Sequence, residues 1–269
     1  MLDIILQVSL LLSIGAAAGI MAGLLGIGGG LIIVPVLFAL FLSTGQADTS
    51  VAMHAAIGTS LATIVLTSIS SILAHQKHRA ILWQVVVSIT PAILVGGLAG
   101  ALIAGLLPGT ALRIGFAIFL LLVAVQMLIG RAPSAHRSLP GLPGLSLVGS
   151  VIGAISAIMG IGGGTMSVPF LVWCNVEARI AVATSAAIGL PIALAGTVGF
   201  IIAGLGKAGL PPLSIGYVNI PAFVCIVIAS VLFAPLGAKF AHRIPHAKLK
   251  RIFAVFLLIL AIRMIFISD

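Results

Sequence analysis

The chain has 269 residues, of which 61% are hydrophobic and 6% charged, with a mean hydropathy of +1.38. A soluble domain carries about 25% charged residues, so this composition excludes one and defines a polytopic membrane protein. The net charge of +9 comes from 13 Lys and Arg set against 4 Asp and Glu; they are scattered between apolar runs, which fits basic loops held at a cytoplasmic face and excludes a nucleic-acid partner.

The first apolar segment covers residues 4–25. Ala16, Ala17 and Ala18 give it the look of a signal peptide, but such a peptide opens on basic residues and this one has only Asp3, so the segment is expected to stay as a membrane span. It runs into Gly26, Ile27, Gly28, Gly29 and Gly30. Each glycine costs a helix about 1 kcal/mol against alanine, so the helix is predicted to break here. A piece at 31–42 follows, with Pro35 in its first turn; as a helix its length of about 18 Å falls short of a hydrocarbon core of about 30 Å. It is either half of a re-entrant hairpin or a crossing completed by extended glycine backbone.

After a polar loop at 43–50 come spans at 55–74, 83–107 and 112–129. The first of these opens on Gly58, Thr59 and Ser60 and ends at the basic loop His75 to Arg79; His54, just before it, is expected at the interface. A linker at 131–144, with three prolines and two arginines, separates residues 1–130 from residues 145–269. The order then recurs: a span at 145–159, a break at Gly160 to Gly164, a short piece at 165–174, and spans at 180–203, 217–237 and 244–264. Cys174 and Cys225 have neither metal-ligand spacing nor a disulfide framework, and no cofactor is expected.

The recurrence is a duplication. Residues 19–35 align with 153–169 at an offset of 134, with 8 of 17 positions identical, and residues 107–127 align with 244–264 at an offset of 137. The expected fold is therefore all-α, with two homologous halves of four full spans and one short half-helix each. Charges choose between parallel and inverted halves. If every half crosses an even number of times, the 13 Lys and Arg divide 6 against 7; if the first segment and its short piece return to the starting side, they divide ten against three. Basic residues concentrate on the cytoplasmic side, so inverted repeats are predicted, with both termini outside and the linker at 131–144 in the cytoplasm.

Broken helices at matching positions of two halves mark a transporter's binding site. A helix starting just after each break exposes unpaired backbone N–H groups and the positive end of its dipole, a site for an anion that needs no buried Lys or Arg. The candidate ligand contacts are Gly28, Gly29, Gly30, Gly162, Gly163 and Gly164, joined by the hydroxyls of Thr59, Ser60, Thr184 and Ser185 and by the amide of Asn219. Ser and Thr in membrane helices commonly bond their own backbone instead, and Asn219 could equally hold helices together. Small pairs such as Gly19 with Gly23 and Gly96 with Gly100 are expected to serve close packing. None of the four acidic residues lies deep in a predicted span, which argues against a cation pathway. A membrane-embedded hydrolase is the rival reading, through Ser60, Ser185 and His54, but it lacks a serine and histidine paired deep in the bilayer.

The paired GIGGGxxxVP stretches, the GTS at 58–60, the GYVNIPA at 216–222 and the LKRxF at 249–253 resemble the sulfite exporter TauE/SafE family of bacterial permeases. That resemblance implies a secondary carrier in the inner membrane for sulfite or small organosulfonates, with export as the usual direction and uptake of sulfate or sulfonate as the alternative. It implies transport rather than catalysis, with a small anionic solute and the lipid bilayer as partners.

Overall fold

A computed structural model describes residues 2–25, 29–76, 79–129, 138–241 and 246–266. In hydrocarbon every backbone polar group must be satisfied within the protein, and the chain meets this with ten α-helices among the described residues. They are α1 (Leu2–Leu25), α2 (Gly30–Ser43), α3 (Thr49–Gln76), α4 (Trp83–Leu106), α5 (Gly109–Ile129), α6 (Leu142–Met159), α7 (Gly164–Trp173), α8 (Ala178–Gly204), α9 (Ile220–Ala241) and α10 (His246–Phe266). Five of them, α3, α4, α5, α6 and α8, are long and apolar enough to cross a bilayer by length and composition.

Two starts differ from expectation. α3 begins at Thr49 because the Asp48 carbonyl accepts the Val51 and Ala52 amides at 3.0 and 2.9 Å, so polar residues assigned to the preceding loop become its first turns. His54 consequently lies inside the helix, 3% exposed. α6 begins at Leu142, with Pro143 in its first turn, a position where proline's missing N–H costs nothing. Between α8 and α9 the expected loop forms a two-residue antiparallel ribbon, β1 (Ser214–Ile215) with β2 (Val218–Asn219). Asn219 therefore ends this ribbon at the entrance to α9 and does not sit within a span.

Close approaches fix the helix directions. A Cβ on Gly15 would meet the Ile226 carbonyl at 2.6 Å and one on Gly19 the Ser230 carbonyl at 2.5 Å, so α1 and α9 run parallel. α6 runs parallel with α4, where Gly149 meets Ile89 and Gly153 meets Ile93. α4 runs parallel with α8, where Gly97 faces Ala195 and Gly105 faces Ala203. α6 and α8 therefore point the same way although only α7 lies between them, and α7 has to carry the chain back. α3 and α8 occupy corresponding places in the two halves, yet they are antiparallel: Gly58 meets Phe200, Leu61 meets Gly196, and Ser68 meets Gly189.

The halves trade partners. α1 packs chiefly on α9, α6 on α4, and α5 on α10. Small residues at Gly15, Gly19, Gly96 and Gly100 permit these backbones to touch, the packing expected between helices that gain no hydrophobic drive from lipid.

Candidate functional site at the two glycine breaks

The second break shows how such a stretch folds. α6 ends in a left-handed residue, Gly160, at φ +67°. The Gly160 amide bonds the Ala157 carbonyl at 3.1 Å and the Ile161 amide bonds the Ser156 carbonyl at 3.0 Å, the paired pattern that closes a helix when glycine takes that conformation. Gly163 then caps α7, its carbonyl accepting the Ser167 amide at 2.8 Å. Residues 160 to 164 are all buried. In the first half Gly29 caps α2 in the same way, accepting the Ile32 and Ile33 amides, each at 3.0 Å. Gly28 lies outside the described residues.

The two breaks meet. A Cβ on Gly30 would lie 2.6 Å from the Gly160 carbonyl and 3.0 Å from the Ile161 Cα, so the start of α2 rests directly on the turn that ends α6. α3 clamps this junction, because the Ser60 hydroxyl donates to the Gly160 carbonyl at 2.8 Å. On the far side Gly163 lies against α8, where a Cβ would stand 2.9 Å from the Ser185 carbonyl and 3.0 Å from the Gly189 amide.

The other sequence-predicted residues gather around this junction with distinct bonds. The Thr59 hydroxyl oxygen accepts the Asn219 amide at 2.9 Å, and that of Thr184, its counterpart in the second half, accepts the Leu82 amide at 3.0 Å. Each threonine thus anchors the entrance to a helix of the opposite half, α9 or α4. Ser185 donates to its own helix, to the Val182 carbonyl at 2.8 Å. The Asn219 side chain caps α9, accepting the Ala222 amide at 3.0 Å and donating to the Pro212 carbonyl at 2.9 Å and to the Ser214 hydroxyl at 3.2 Å.

Among the described residues no serine hydroxyl bonds the His54 ring. Its Nε2 lies 3.1 Å from both the Ala104 and the Leu107 carbonyls, so that nitrogen carries the proton. Its ring stacks on Tyr217 at 4.8 Å, and Tyr217 meets Phe200 edge-on at 6.1 Å. Ser60 stands six residues further along α3, about 120° around the helix from His54, and is bonded to Gly160. A hydrolytic nucleophile needs its base within about 3.2 Å. Among the described residues no group of three or more His, Cys, Asp or Glu gathers to hold a metal.

A bundle of apolar helices, interrupted twice at matching places that touch at its centre, is the architecture of a membrane transporter. Comparison with known proteins agrees and goes further. Residues 11–264 match the family described as Sulfite exporter TauE/SafE. The chain is 37% identical over 256 residues to a probable membrane transporter protein of Haemophilus influenzae, covering 95% of this chain and 97% of that one. It is 30% identical over 254 residues to a probable membrane transporter protein of Methanocaldococcus jannaschii, covering 92% of this chain and 91% of that one. No solved structure matches the chain. The chain belongs to the sulfite exporter TauE/SafE family and is a membrane transporter.

Proposed function

We propose that the chain is a secondary transporter that carries small sulfur-containing anions, sulfite or an organosulfonate, outward across a bacterial inner membrane. The observation that carries this reading is the buried contact between the two breaks, Gly30 against Gly160 and Ile161, which brings two bared stretches of backbone to one place. The anion would lie on the backbone of Gly28 to Gly30 and Gly162 to Gly164, with Ser60 and Ser185 beside it. Thr59, Thr184 and Asn219 would form the walls by holding α9 and α4 in register. An anion leaving a cell with a negative interior moves downhill by about 2.3 kcal/mol per charge per 100 mV, so export would need no coupling ion.

The reading includes inverted halves, residues 1–130 and 145–269, with 131–144 as a cytoplasmic linker. The antiparallel crossing of α3 and α8 and the shared direction of α6 and α8 support it. Charge supports it too. Arg79, Arg179, Lys239, Lys248, Lys250 and Arg251 lie near helix ends on one face, against Arg113, Lys207 and Arg263 on the other, and the basic side is cytoplasmic.

Two experiments test the proposal. Counterflow in proteoliposomes is expected to show saturable exchange of labelled sulfite or sulfoacetate, and no exchange of either would overturn the substrate assignment. A reporter fused after Asp269 is expected to read periplasmic, and a cytoplasmic signal would overturn the inverted arrangement.

A further inference from the structure

Hydroxyls in this protein follow a habit. Ser9, Ser13, Ser43, Thr67, Thr90 and Ser230 each donate to a carbonyl three or four residues back, as serine and threonine in helices generally do. Ser156 and Ser167 break it. Both are 0% exposed, and the Oγ of each has no hydrogen-bond partner. They flank the second break, Ser156 four residues before Gly160 and Ser167 four residues after Gly163. Thr165, in the first turn of α7, likewise has a buried hydroxyl without a partner. Thr197, in α8, is a fourth buried hydroxyl without a partner. Buried polar groups are almost always satisfied in a folded protein, so three unsatisfied hydroxyls within four residues of one break point to a ligand that satisfies them.

The duplication supplies an internal comparison. At the offset of 134 the counterparts of Ser156, Thr165 and Ser167 are Ala22, Leu31 and Ile33, none of which can donate. Ile33 also folds back over its own cap, its Cδ1 standing 3.0 Å from where a Cβ on Gly29 would lie. At the second break the three nearest atoms to such a Cβ on Gly163 are backbone atoms of Ser185 and Gly189, so there the cap rests on α8 where the first rests against its own Ile33. Side chains on a helix lean toward its N-terminus, which aims Ser167 at the turn capped by Gly163, where the first backbone N–H groups of α7 also point.

We infer that the transported anion binds on the second break alone, held by the Ser167 and Thr165 hydroxyls and the first amides of α7, with Ser156 closing it from α6, while the first break serves as an apolar wall. The inference rests on the proposed anion transport and narrows its site from the backbone of both breaks to the second break alone. Donors that are all neutral suit a small oxyanion with several acceptor oxygens. The first half then sets the geometry, since Gly30 presses on the turn at Gly160, and the second half supplies the recognition.

The test uses the full chain, with melting in detergent across a series of sulfite, sulfoacetate, thiosulfate and sulfate, and counterflow with whichever stabilises it. Ser167→Ala is expected to raise the half-saturating concentration at least tenfold with the maximal rate retained, and Ser167→Thr to restore it. Ser156→Ala and Thr165→Val are expected to shift it the same way, whereas Thr90→Val, which removes a hydroxyl bonded to its own helix, leaves it within twofold. If the parent is stabilised and all three variants match it, the asymmetric site is overturned and the transport reading stands. If no anion of the series stabilises the parent, the anion reading falls and this inference falls with it.

Discussion

Replacing Gly163 with valine is expected to abolish counterflow while leaving the protein in the membrane with an unchanged elution profile. The first new atom would stand 2.9 Å from the Ser185 carbonyl and 3.0 Å from the Gly189 amide, both backbone, so neither neighbour can turn aside and the start of α7 has to shift. Gly30→Val should act from the other side, its Cβ meeting the Gly160 carbonyl at 2.6 Å and prising the two breaks apart. Gly115→Ala provides the contrast, because its nearest neighbour would be the Met159 Cε at 3.8 Å; a gain of about 1 kcal/mol in helix stability is expected there, with exchange intact. Normal exchange by Gly163→Val would reduce the second break to a packing feature.

The second large effect is on stability. Thr59→Val and Thr184→Val keep the shape of the side chain but delete the acceptor for the Asn219 and Leu82 amides. Leaving a buried donor unsatisfied costs about 1–3 kcal/mol. Both threonines are 0% exposed, so water does not replace the lost partner. The two sites share no partner, so their costs should add, and the double variant should melt below the parent by the sum of the two single shifts. Unchanged melting of both single variants would show that these bonds do not hold α9 and α4 in place.

Much of this was legible in the amino-acid sequence because it rests on backbone. Runs of glycine break helices wherever they fall, so both breaks, the short helices behind them and the duplication could be read directly. What the sequence hid depends on which atom reaches which. Thr59 and Thr184 stood out as a matched pair, but nothing in their spacing said that each accepts an amide from the opposite half. Asn219 was placed in a span because GYVNIPA is apolar enough to pass as one; the β1–β2 ribbon that ends on it is too short to leave a pattern. His54 was set just before a span because the residues ahead of it are polar, and the Asp48 carbonyl that draws them into α3 is visible only once the helix is formed. Ser156 and Ser167 carry no sequence signal, since a serine in a membrane helix ordinarily bonds its own backbone.

The exchange of partners between the halves bears on how the protein is made. α1 leaves the ribosome long before the surface it packs against, since α9 begins only at Ile220, after all of α2 to α8 has been synthesised. α4 likewise waits for α6. Neither half can mature on its own during translation; the early spans have to be held in the lipid, or shielded by the insertion machinery, until the late ones arrive.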